Sequence, residues 1–136
     1  MNNSANALQQ YARIGAESAI TCADPHELVR LLYEGALQRI TAARGCIERG
    51  EIAAKGEHLA RAIAIVDCLR VSLDHSVDEE LTGRLEQLYD YFTFRLVAAN
   101  SHQVVEPLQE VHGLISGLRD AWEQIKPAHQ AELASA

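Results

Sequence analysis

No run of apolar residues in this chain approaches the ~18 that a membrane-spanning helix requires, so the sequence offers no transmembrane segment. Strand signals are equally scarce. There is no stretch of alternating β-branched residues and no Asn-Gly hairpin turn. Prolines number only three, which leaves long windows rich in Ala, Leu, Glu, Gln and Arg free to form helix. Cations are outnumbered: 12 Lys and Arg stand against 19 Asp and Glu, for a net charge of −7. They are scattered as well, so the clustered positive charge that nucleic-acid phosphates demand is missing. Three cysteines, Cys22, Cys46 and Cys68, cannot all pair and form no Cys-x-x-Cys, so the expectation is reduced, buried thiols in a cytoplasmic protein. Met1 to Asn6 carry neither a charged nor an apolar stretch, so no signal peptide is expected.

Chemistry-bearing patterns are nearly absent too. The six histidines make no His-x-x-x-His pair, and Glu110-Val111-His112 lacks the Glu-x-x-His spacing that di-iron bundles use. No glycine-rich loop meets a helix, and no nucleophile elbow occurs. The expectation is a non-enzyme with no cofactor, no metal and no catalytic residue. One histidine suggests an alternative. His58, followed by Leu59-Ala60-Arg61-Ala62 in mid-helix, faintly resembles the phosphorelay histidine of acidic four-helix phosphotransfer domains. Those domains prefer Lys-Gly where Arg61-Ala62 stand, so the favoured reading of His58 is an exposed helical side chain.

With 136 residues, 48% of them hydrophobic, the chain is long enough for one domain with a core. The spacing predicts helices over about 25–48, 51–73, 78–100 and 107–126. Asp24 caps the first, Pro25 suits its first turn, and Glu27 is placed to close a capping box. Acids Asp78, Glu79 and Glu80 sit at the positive end of the third, and Pro107 opens the fourth. Core stripes follow: Ile52, Leu59, Val66 and Leu69 on the second, Leu85, Phe92 and Leu96 on the third, Val111, Ile115 and Trp122 on the fourth. Short connections force neighbours to run antiparallel, so the fold class is all-α, an up-down four-helix bundle over residues 21–126. Residues 1–20 read as an N-terminal strap and 127–136 as a frayed tail.

The first helix has more apolar surface than one core needs. Projected at about 100° per residue, its apolar side chains span roughly 240°, against the ~100° stripe of an ordinary amphipathic helix. Such a helix is either central to its bundle or shared between a core and a partner. On the second reading, Leu28, Leu31, Leu32, Tyr33, Leu37 and Ile40 are candidate partner-binding residues. A second stripe on the next helix, Ala53, Ala60, Ala64 and Val71, is small enough to let a foreign helix approach. On the third helix Phe94 falls on the polar side. In the strap, Tyr11 and Ile14 are the candidates for covering a groove until a partner arrives. Tyr33, Tyr89 and Tyr91 read as stripe-edge side chains with wet hydroxyls.

The ordered set Tyr11, Thr21-Cys22-Ala23-Asp24-Pro25, Glu27-Leu28-Val29-Arg30-Leu31-Leu32-Tyr33-Glu34-Gly35-Ala36, Ser72-Leu73-Asp74, Leu88-Tyr89-Asp90-Tyr91, Ala99-Asn100 and Leu118-Arg119-Asp120-Ala121-Trp122 resembles the bacterial flagellin export chaperones of the FliS family. The resemblance spans about residues 11–122. Departures are small: Asp24 stands where the family more often has Ser, and Glu34 where it often has Asp. The resemblance implies a cytoplasmic helical bundle that binds the disordered C-terminal region of flagellin and prevents premature polymerisation. It also implies delivery to the flagellar type III export apparatus, whose gate, with other flagellar regulators, would be a further partner. It implies no nucleic acid and no membrane insertion.

Overall fold

The computed structural model describes residues 24–125. The strap with Tyr11 and Ile14, Cys22, and the tail after 126 lie outside them. The described residues form four α-helices and no strand: α1 (Pro25–Arg49), α2 (Ile52–Val71), α3 (Glu79–His102) and α4 (Glu106–Gln124).

Local chemistry sets the ends. At α1 the Asp24 carboxylate accepts from the Glu27 backbone N–H at 2.8 Å. The capping box stays half-made, because the Glu27 carboxylate turns to Arg30 instead. The other end closes on Gly50 at φ 74°, with the Glu51 N–H returned to the Cys46 carbonyl at 2.8 Å and the Gly50 N–H to Ile47. That left-handed turn is where glycine's freedom is needed. Asp78 caps α3 through the Leu81 N–H. Helix α3 runs to His102, two residues into the expected connection, and stops at Gln103 in the left-handed region, φ 57°.

The helices pack in a ring, α1 on α2 and α4, α3 on α2 and α4. Cross-links fix the antiparallel directions. Lys55 Nζ donates to the Asn100 carbonyl at 3.0 Å, and Arg70 bridges Asp90 and Glu86 at 2.7 and 3.0 Å. Glu110 accepts from Tyr91 and Arg95, joining α4 to α3. The Trp122 indole donates to the His26 carbonyl at 3.0 Å and stacks on its ring, joining the end of α4 to the start of α1.

This ring accounts for the wide apolar arc of α1. Leu32, Tyr33, Leu37 and Ile40 are all buried in the core. A ring helix touches two neighbours and faces a third across the centre, so its own bundle covers an arc that one neighbour would leave bare. Leu32, Leu37 and Ile40 are closed off by α2, α3 and α4, while Tyr33, equally buried, lines a cavity at the end of the bundle. Leu28 and Leu31 remain half-buried. Ile52, expected in the core, is 63% exposed, because it is the first residue of α2 and overhangs the last packed layer.

Candidate functional site

Two apolar features remain after the core is closed. The first is the outer face of α2 and α3. Lys55–Asn100 and Arg70–Asp90 set the register of the pair. In an antiparallel pair the numbers of opposed residues keep a nearly constant sum, so Ala60 lies abreast of the Leu96–Val97 turn and Ile63 abreast of Thr93. Ala53, Ala60 and Ala64 are exposed and Val71 is half-buried. Beside them Phe94 is 67% exposed, and Val97 is also exposed. An exposed phenylalanine and valine on α3, next to a helix whose outer positions are alanines, differ from scattered single apolar residues, because several fall on two neighbouring helices. The candidates on α2 and α3 thus lie on neighbouring helices, and Ile52, expected in the core, is exposed at the start of α2. Its position at a helix start was the available signal.

The second feature is a cavity of about 160 Å³ at the end of the bundle where α1 begins and α4 ends. Val29, Tyr33, Leu69, Leu85, Tyr89 and Trp122 are among its walls, and no charged side chain among the described residues lines it. Tyr33 and Tyr89, expected to have wet hydroxyls, are 4% and 2% exposed, and their hydroxyl oxygens lie 2.7 Å apart. Burial pushes the Tyr33 phenol up to about 12, the bond to Tyr89 partly opposing it, and Tyr89 is raised further by burial and its neighbour. A phenolate there would lose its hydration with no cation to replace it. Nothing in the sequence marked this pair, since 56 residues separate its members.

Other titratable groups are committed elsewhere. Tyr91 donates to Glu110 at 2.7 Å, which raises the phenol and, with Arg95, lowers the carboxyl. Burial holds the Cys68 thiol up to about 11, with Asp67 adding to it, so it is a poor nucleophile. His58 is half-buried rather than exposed, its Nδ1 accepting from Arg39 Nη1 at 3.2 Å between α2 and α1. Among the described residues no cluster of His, Cys, Asp and Glu is arranged to hold a metal ion, and no helix is long and apolar enough to cross a membrane.

The family model described as flagellar protein FliS matches residues 7–129. The chain is similar to the flagellar secretion chaperone FliS of Salmonella typhimurium, 40% identical over 90% of this chain and 92% of that protein. It is similar to the flagellar secretion chaperone FliSB of Pseudomonas aeruginosa, at 39% over 88% and 94%. The flagellar secretion chaperone FliS of Escherichia coli is 38% identical over 88% and 89%.

Proposed function

The chain belongs to the FliS family of flagellar proteins, and on that premise we propose that it is a cytoplasmic export chaperone whose client is the C-terminal segment of flagellin. The observation that carries the reading is the outer face of α2 and α3, where Phe94 and Val97 stand in water beside Ala60. An amphipathic client helix laid there covers the phenyl ring and closes on alanine, with no side chain to displace. A disordered client forfeits a few kcal/mol of ordering entropy and recovers it by burying roughly 1,000–3,000 Å². While bound, the client helix is withheld from other flagellin subunits, and the complex goes to the flagellar type III export apparatus. The chaperone contributes shape and apolar surface, with no covalent step. Ala53, Ala60, Ala64, Val71 and Phe94 form the proposed contact, extended by Ile52, and Leu28 and Leu31 contribute only their half-exposed edges. Tyr11 and Ile14 belong to a strap that covers a groove until the client arrives.

Calorimetric titration of the full chain with the flagellin C-terminal segment tests this. The expected result is a 1:1 complex, a negative heat-capacity change and a gain of helical signal in the client. Absence of heat at several temperatures, with no change in helicity, overturns it.

A further inference from the structure

The cavity at the bundle end holds a proton with nowhere to go. Two phenols bonded only to each other carry two O–H protons, and one of these makes the 2.7 Å bond. The second has no acceptor among the described residues. The other side-chain protons on the walls are spent: the Ser72 hydroxyl donates to the Leu69 carbonyl at 3.0 Å and the Trp122 indole to the His26 carbonyl. A buried donor without an acceptor is costly, on the order of 1–3 kcal/mol, and an incoming acceptor relieves that cost. The rest of the cavity wall is apolar and uncharged. A half-open cleft of this volume has room for a group about as large as benzene.

We propose that this cavity is a client subsite, selective for an uncharged apolar group that arrives together with a hydrogen-bond acceptor, and that the Tyr33–Tyr89 pair is the specificity-determining donor. The inference rests on the reading of the chain as a client-binding chaperone. A charged occupant is excluded, since its charge would sit in a wall with no counter-ion. The absence of charge among the described wall residues is notable in a chain of net charge −7. An apolar client side chain with the carbonyl of its own backbone meets both requirements.

The pair has a property that makes the test specific. Tyr33→Phe or Tyr89→Phe alone still leaves one buried hydroxyl with a free proton. Only the double variant removes the donor. The probes are cyclopentanone and its hydrocarbon counterpart methylenecyclopentane, of nearly equal shape, titrated against the full chain. Because hydration of the ketone is the same in every titration, the ratio of the two affinities isolates the donor. The expected ratio is equal in wild type and both single variants and falls about fivefold in the double variant, while the hydrocarbon still binds. The infrared carbonyl stretch of the ketone bound to wild type is expected to shift as for an accepted hydrogen bond, which needs no variant. An unchanged ratio, an unshifted stretch, or failure of both probes to bind overturns the assignment. The flagellin C-terminal segment is expected to displace the ketone. Segment binding without displacement removes the subsite and leaves the chaperone reading standing, whereas no segment binding removes that reading itself. Ketone binding seen only after residues 1–23 are deleted would make the occupant this chain's own segment and overturn the choice of client.

Discussion

The hydroxyls of Tyr33 and Tyr89 meet at 2.7 Å across the diagonal of the bundle, one from α1 and one from α3. No other described hydrogen bond joins these two helices through side chains so deep in the core. The folded state keeps both phenols protonated, Tyr33 up to about 12 and Tyr89 well above its ordinary 10. An unfolded tyrosine releases its proton near pH 10. The stabilisation is therefore complete below about pH 10 and drains away as pH rises toward 12. For Tyr33 alone a shift of about two units corresponds to a loss on the order of 3 kcal/mol. Cys68, held up to about 11, acts in the same direction from about pH 9. Urea midpoints measured from about pH 9 to pH 12 are expected to fall in wild type and to fall less steeply in the Tyr33→Phe/Tyr89→Phe variant. Parallel curves for the two proteins would show that the pair does not govern alkaline stability.

Lys55 is 2% exposed, with its ammonium on the Asn100 carbonyl near the C-terminal end of α3. A cation there meets the negative end of the helix dipole and fixes the α2–α3 register. Lys55→Met keeps the volume and removes the charge, leaving the carbonyl without its donor. The expected cost is about 1–2 kcal/mol, read as a lower urea midpoint with an unchanged slope. An unmoved midpoint would mean that water replaces the ammonium without loss.

Ala60→Glu and Ala64→Glu are expected to leave stability within about 0.5 kcal/mol, since both positions are exposed on α2. On the proposed client face the same carboxylate lies unpaired beneath an apolar helix. Client affinity is expected to fall tenfold or more in each, and a similar loss is expected for Phe94→Ala. Normal affinity in all three, measured by calorimetry beside melting curves, would move the client off this face.

Much of the architecture was legible because its signals are local. Asp24, Gly50 and Asp78 act within one turn of themselves, and the apolar period of each helix is written in adjacent residues. The long-range features were not. The wide arc of α1 reads the same whether its cover comes from another chain or from α2, α3 and α4, and only packing puts Leu32 and Ile40 in the core. Lys55 looks like any helical lysine until the α3 terminus arrives beside it. The candidate face divides along the same line. Exposure of Ala60, Ala64 and Phe94 followed from periodicity, while the Tyr33–Tyr89 cavity depends on four helix ends meeting in space.

Removal of residues 1–18 discriminates between two roles for the strap. The described helices close a core among themselves, drawing on α1 to α4 from Val29 to Trp122. The segment before Asp24 contains few large apolar side chains, Leu8, Tyr11, Ile14 and Ile20. The truncated chain is therefore expected to keep its helical signal and to melt within a few degrees of the full chain. If Tyr11 and Ile14 cover a client groove, they compete with the client, and the apparent dissociation constant of the full chain is the intrinsic one divided by the uncovered fraction. Truncation then leaves client affinity unchanged where the lid is mostly open and raises it where the lid is mostly shut. Titration of both proteins with the same flagellin segment, with circular dichroism on each, measures this. Loss of the helical signal would make the strap a core element. A large loss of affinity with the fold intact would make Tyr11 and Ile14 part of the client contact instead of its competitor.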